Sequence, residues 1–298
     1  MIKKLINSIT KALFPEDIKC IVCHKDLREN YTFDVCPNCI KEIPFNNKGT
    51  CLKCGKNTWA GATHCSVCKK HLHIFNKARA PLLYVEPISF YMPQFKYANY
   101  KYLAKPFAKF IFNEYLLSNF EVDVVYPVPM YYSRKIVREY NHAEELAKHF
   151  CQMANLPLDT TNFVRIVNTE QQARMAKKER EENLKNAFRV IDPSLVKDKK
   201  VLLIDDIITT GSTIDECAKV LYKCGAKEVN ALAVAHRPEK LYLLKQNVST
   251  NDAKTFDKMS KIMYNTQVKT NKFRVLPSFR NMKRFVSNEI DRSYRRRK

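Results

Sequence analysis

The chain has 298 residues, 45% of them hydrophobic, which suffices for one large domain or two smaller ones with a real core. No uninterrupted apolar run reaches the roughly 18 residues of a membrane-spanning helix, so no stretch reads as one. The formal net charge of +22 favours polyanionic partners over acidic binding surfaces, although part of the lysine excess is compositional.

Met1 to Phe14 sets Lys3, Lys4 and Lys11 among Ile2, Leu5, Ile6, Ile9 and Leu13 at helical spacing. This predicts an amphipathic N-terminal helix over residues 1–15, docked on the protein or in weak contact with a membrane surface, and not an export signal. Eight of the 11 cysteines follow before residue 70. With no export signal, metal binding is expected over disulfides. Cys20-Ile-Val-Cys23 and Cys36-Pro-Asn-Cys39 are two C-x-x-C knuckles, and Cys51-Leu-Lys-Cys54 and Cys65-Ser-Val-Cys68 repeat them. Two knuckles make one closed tetrahedral Cys₄ site of the structural zinc type. Residues 16–75 therefore read as a zinc-binding module holding two ions, with the knuckles paired either in sequence or interleaved. His24, His64, His71 and His73 lie close by and read as bystanders, since eight thiolates are available. Phe45 and Trp59 are expected to pack this module, which is too short to fold without its metal.

Residues 76–240 read as an α/β domain with a parallel sheet. Ala78 to Ile88 is strand-like. Phe90 to Phe112 interleaves Tyr91, Phe95, Tyr97, Tyr100, Tyr102 and Phe107 with Lys96, Lys101, Lys105 and Lys109. That pattern fits either a platform for single-stranded nucleic acid or an amphipathic helix with its aromatics in the core. Glu121 to Tyr126 is a strand ended by Pro127-Val128-Pro129. A basic loop with Arg134, Lys135 and Arg138 leads to Asn141 and a helix over His142 to Met153, which together read as either a second anion site or an ordinary loop with solvated bases. Phe163 to Val167 is a short apolar segment. The charged stretch that follows, with Arg174 and Arg180, is either a solvated helix or a lid over bound phosphate.

Val201 to Thr213 reads Val-Leu-Leu-Ile-Asp-Asp-Ile-Ile-Thr-Thr-Gly-Ser-Thr. A buried strand ends in two carboxylates, and a small hydroxyl-rich turn leads into a helix marked by Ile214, Cys217, Ala218 and Leu221. Ser212 or Thr213 is expected to cap that helix, with Asp215 and Glu216 in its first turn and Gly225 at its end. Backbone N–H groups at a helix start bind phosphate, and Gly211 permits close approach. Asp205 and Asp206 would repel phosphate but can accept from sugar hydroxyls. The combination describes a phosphorylated ribose. Val229 to Ala235 is the next strand, and His236 at its end reads as structural ahead of a site residue. From Leu241 to Lys298 there are 15 Lys/Arg against 4 Asp/Glu, an excess of +11. This basic extension over 241–298, with aromatics between its clusters, is either a nucleic-acid arm or a solvated tail.

Val201 to Thr213 resembles the phosphoribosyl pyrophosphate signature of type I phosphoribosyltransferases. The ordered set narrows this further: the four Cys knuckles, Pro-Val-Pro, Arg138-x-Tyr140-Asn141, Asn168-Thr169-x-x-Gln172, Arg180-x-x-Asn183-Leu184-x-x-Ala187-Phe188 and the Asp-Asp signature. It resembles the ComF family, a zinc ribbon followed by a phosphoribosyltransferase-type domain, over about Cys20 to His236. Glu139 departs from the Gly that the family favours there, which bears on the turn geometry. The resemblance implies a DNA uptake factor of natural transformation that handles single-stranded DNA, cytoplasmic or peripheral to the inner face of the membrane, beside a competence helicase and a recombination mediator. It implies that Asp205 and Asp206, the catalytic positions if the chain is an enzyme, hold ribose. Thr209, Thr210, Gly211, Ser212 and Thr213 would hold the 5′-phosphate, and Arg138, Arg174 and Arg180 the pyrophosphate side. Magnesium would accompany bound phosphoribosyl pyrophosphate. A nucleobase phosphoribosyltransferase of nucleotide salvage is the alternative, and the motif leaves turnover open.

Overall fold

The computed structural model describes residues 19–27, 31–47, 49–58, 62–131, 140–167 and 187–238. The N-terminal helix over 1–15, Trp59, the basic loop with Arg134, Lys135 and Arg138, Arg174, Arg180 and the extension over 241–298 lie outside those residues.

The cysteine-rich part is one motif built twice. Cys20 N–H donates to Lys25 O (2.9 Å) and Cys51 N–H to Lys56 O (2.8 Å). Four residues on, His24 and Gly55 donate back to Cys20 O and Cys51 O, both with positive φ (57° and 71°). The second knuckle needs glycine because a Cβ there would lie 2.6 Å from Ala78 O. Cys65 caps a short helix, α1 (Ser66–Lys70), and the chain then runs straight into the sheet.

Strands β1 (Lys77–Arg79) and β2 (Leu82–Leu83) precede helices α2 (Ile88–Tyr97) and α3 (Ala104–Ser118). The aromatic and lysine-rich stretch is thus two helices, and its rings divide. Tyr91, Phe95 and Phe107 are buried, whereas Phe90, Tyr97 and Tyr102 are more than half exposed. Then come β3 (Val124–Pro127), α4 (His142–Ala154), β4 (Phe163–Arg165), β5 (Phe188–Val190), β6 (Lys200–Ile208), α5 (Ser212–Lys223) and β7 (Glu228–His236). The main sheet is parallel, in the order β1-β7-β6-β3, with β2 also on β7. Covered on both faces, β6 and β7 are near-continuous apolar runs rather than alternating ones. The short apolar segment at Phe163 joins a separate antiparallel pair with β5 instead of the main sheet.

Two features of the fold shape the site. First, β3 ends at Pro127, opposite Ile204, so β6 runs on past its neighbour carrying Asp205 and Asp206. Second, the cysteines at 51, 54, 65 and 68 share one core with Phe75, Ala78, Leu203, Ile214, Cys217 and Ala233. The second ribbon is part of the α/β core rather than an appendage. Among the described residues, no helix is long and apolar enough to cross a membrane.

Candidate functional site

The eight cysteines gather into two groups in sequence order, Cys20, Cys23, Cys36 and Cys39, then Cys51, Cys54, Cys65 and Cys68, with the sulfurs of each within 4.8 Å of one another. Pairing is therefore sequential. Four sulfurs about 2.3 Å from one tetrahedral zinc stand about 3.8 Å apart. Cys23 and Cys36 Sγ are 3.8 Å apart, and Cys54 and Cys65 Sγ 3.6 Å. Backbone N–H groups point at the sulfurs too: Cys36 N at Cys20 Sγ (3.3 Å), Cys39 N at Cys36 Sγ (3.4 Å) and Cys68 N at Cys65 Sγ (3.4 Å). Such contacts stabilise thiolates. Both groups fit structural zinc. The second is wholly buried, whereas in the first only Cys20 is.

The acid pair stands where β6 loses its neighbour. Successive strand residues face opposite sides of the sheet. Asp205 follows Leu203 onto the face that carries α5, and Asp206 turns to the other. There Asp206, 4% exposed, meets two basic side chains that no sequence pattern tied to it. Lys96 Nζ lies 2.9 Å and His142 Nε2 2.6 Å from the same oxygen, Oδ2. Tyr140 OH donates to Phe95 O, next to Lys96. Asn141 Oδ1 accepts from Ala143 N (3.1 Å) and caps α4, whose first residue is His142. One short segment, 140–142, thus fixes the end of α2 and the start of α4 against Asp206.

These partners separate the two carboxyls. Burial works against the charge of Asp206, but Lys96 and His142 outweigh it and hold that carboxyl well below the usual range. Burial likewise lowers the Lys96 pKa, and Asp206 overcomes it and leaves it raised. Asp205 is pushed up to about 7, by burial first and by the charge of Asp206 second. Its Oδ1 accepts from Asp206 N (2.8 Å). One acid is thus ionised and neutralised within the fold, and the other takes or gives up a proton near neutral pH.

The turn after β6 departs from expectation at its cap. Gly211 itself is the N-cap of α5, at φ 86°, and no side chain caps the helix. Thr210 Oγ1 instead pairs with Ser212 Oγ at 2.9 Å. Hydroxyls and helix-start N–H groups therefore stand together on one turn, with Thr209 exposed beside them. Asp215, expected to serve the helix dipole, is turned away: its Oδ2 lies 2.6 Å from His73 Nδ1 and its Oδ1 accepts from Ile74 N (2.7 Å). His73 stands outside both Cys₄ groups, but it is no bystander. The signal for these partners was electrostatic rather than sequential: buried carboxylates demand cations or donors, whatever their distance along the chain. His236 is buried at the end of β7, where it pairs with Ile208 just before the turn, its Nδ1 3.0 Å from Arg237 O.

Residues 9–74 match the double zinc ribbon domain family, and residues 141–261 the phosphoribosyl transferase domain family. Competence protein F of Haemophilus influenzae is 29% identical over 231 residues, covering 74% of this chain and 97% of that protein. DNA utilization protein YhgH of Escherichia coli K12 is 25% identical, covering 70% and 93%. Competence protein ComFC of Streptococcus pneumoniae is 24% identical, covering 73% and 99%.

Proposed function

We propose, from the premise that the chain is a homologue of competence protein F, ComFC and the YhgH proteins with a double zinc ribbon and a phosphoribosyl transferase domain, that it is a DNA uptake factor of natural transformation. In this reading it binds single-stranded DNA and seats phosphoribosyl pyrophosphate or a related nucleotide. The carrying observation is the pair Asp205–Asp206 running past the end of β3 into a turn where hydroxyls and helix-start N–H groups stand together. A 5′-phosphate takes the N–H groups and hydroxyls of Thr209, Thr210, Gly211, Ser212 and Thr213. The ribose hydroxyls donate to the acids. Magnesium would accompany the substrate and offset the charge of its phosphates there. Arg138, Arg174 and Arg180 supply the pyrophosphate side.

Asp205 is the acid better suited to the ribose, since Asp206 is already engaged by Lys96 and His142. The +11 extension supports DNA binding, because neutralised phosphates release counterions. A competence helicase and a recombination mediator are partners in the same reading.

Fluorescence anisotropy with labelled single-stranded DNA tests the DNA half. The full chain should bind, lose affinity steeply between low and physiological salt, and lose most of it when residues 247–298 are deleted. Binding indifferent to both salt and deletion contradicts it. Incubation with phosphoribosyl pyrophosphate and each common nucleobase then separates a binding site from a transferase, because only the latter releases pyrophosphate.

A further inference from the structure

We propose that His73, acting through Asp215, is a positioning residue for the phosphate seat, so that the second zinc ribbon sets the affinity of the phosphoribosyl site. The inference rests on the phosphoribosyl reading above. Asp215 sits in the first turn of α5, one turn after Gly211, and its N–H donates to Gly211 O (2.9 Å). An ionised carboxylate in the first turn of a helix repels an anion bound at that helix start and shares the same favourable dipole end with it. Here both its oxygens are held by the segment leaving the ribbon, Oδ2 by His73 and Oδ1 by Ile74 N. The acid is thereby held toward the ribbon segment, away from the phosphate turn.

The brace is tight. A Cβ on Gly211 would lie 3.0 Å from His73 Cε1 and 3.3 Å from Phe75 Cε1. The His73 ring stacks on Phe75 at 4.6 Å with 19° between planes, and Phe75 is fully buried. The His73 side chain is itself 2% exposed. Five residues before it stands Cys68, a member of the second Cys₄ group, and His71 N–H donates to Val67 O (2.9 Å) to close α1. The ribbon, the brace and the phosphate turn form one packed unit.

A shared metal does not explain the same residues. His71, His73 and Asp215 lie close enough to be considered ligands. Yet two ligands about 2.0 Å from one tetrahedral zinc stand about 3.3 Å apart. His73 Nδ1 and Asp215 Oδ2 are 2.6 Å apart, a hydrogen-bond separation.

Calorimetric titration of the zinc-loaded full chain with magnesium phosphoribosyl pyrophosphate tests the inference. Replacing His73→Ala should weaken binding about tenfold or more, because the Asp215 charge is released toward the bound phosphate. Adding Asp215→Asn to that variant should recover much of the loss, which a merely structural role for His73 would not produce. His73→Asn, whose amide N–H replaces Nδ1–H, should bind nearly as well as the parent. Unchanged affinity in His73→Ala, or a loss that Asp215→Asn does not relieve, overturns the proposal. Should His73→Ala not fold, His73→Asn against His73→Leu carries the same comparison. A parent chain that takes up no phosphoribosyl pyrophosphate overturns the phosphoribosyl reading and this inference with it. A parent that binds beside an unaffected variant overturns the inference alone.

Discussion

Adjacent, identical substitutions should have unlike effects at the acid pair. Asp206→Asn keeps the volume of the side chain and removes its charge. It leaves Lys96 and His142, whose side chains are 20% and 12% exposed, facing a neutral amide. Breaking a buried pair from one side costs about 3–5 kcal/mol. Lys96 retains some contact with water, so the low end applies, about 3 kcal/mol. Asp205→Asn removes a charge that the fold already resists. A carboxyl raised from 3.8 to about 7 is destabilising where it ionises. Because the folded state holds its proton more tightly, that contribution erodes stability as pH rises from about 4 to 7. The amide is spared this, so Asp205→Asn should be neutral or stabilising at pH 7. Urea denaturation of the zinc-loaded protein at pH 5 and pH 7 measures both. The reasoning fails if the two variants lose similar stability, or if Asp206→Asn costs less than about 1 kcal/mol.

Three further outcomes follow from the same geometry. Burial pushes the His236 pKa down to about 4, so the folded state resists its protonation and the protein should lose stability as pH falls from 6.5 through 4. Thermal melts of His236→Gln should lack that part of the acid loss, and parallel pH profiles would refute the assignment. Gly211→Ala forces a side chain into left-handed backbone against His73, costing about 1–2 kcal/mol in denaturation and weakening phosphoribosyl binding. Parent-like stability would show that the turn can shift. Cys54→Ser should lower the melting temperature of the α/β domain more than Cys39→Ser, because the second Cys₄ group is wholly buried and shares a core with the sheet whereas Cys39 is only partly buried. Equal effects in calorimetry would argue that the two ribbons bear on the core alike.

The β6–turn–α5 unit was legible because its apolar run, acids and helix periodicity are contiguous. So were the eight zinc-type cysteines, whose spacing carries their chemistry. Their pairing was not, since sequential and interleaved schemes fit the same spacing, and only the folded chain brings Cys20–Cys39 and Cys51–Cys68 together as separate groups. The cap was misjudged for a local reason: Ser212 and Thr213 are good capping residues, but the left-handed Gly211 takes the position and Thr210 engages Ser212. Lys96, His142 and His73 were hidden by distance along the chain. Each answers a carboxylate on an element folded in from elsewhere, and a lysine within an aromatic helix looks like surface until its partner is placed. The aromatic stretch divides, with Phe95 and Phe107 in the core as an amphipathic helix requires and Tyr97 and Tyr102 exposed.

The central claim is that Asp205 and the Thr209–Thr213 turn seat a phosphorylated ribose. Calorimetric titration of the parent chain and of Asp205→Asn with magnesium phosphoribosyl pyrophosphate, with ribose 5-phosphate as competitor, tests it most directly. The account predicts saturable binding by the parent, displacement by ribose 5-phosphate, and at least a tenfold loss (about 1.4 kcal/mol) in a variant that remains folded. No binding by the parent, or undiminished binding by Asp205→Asn, would contradict it.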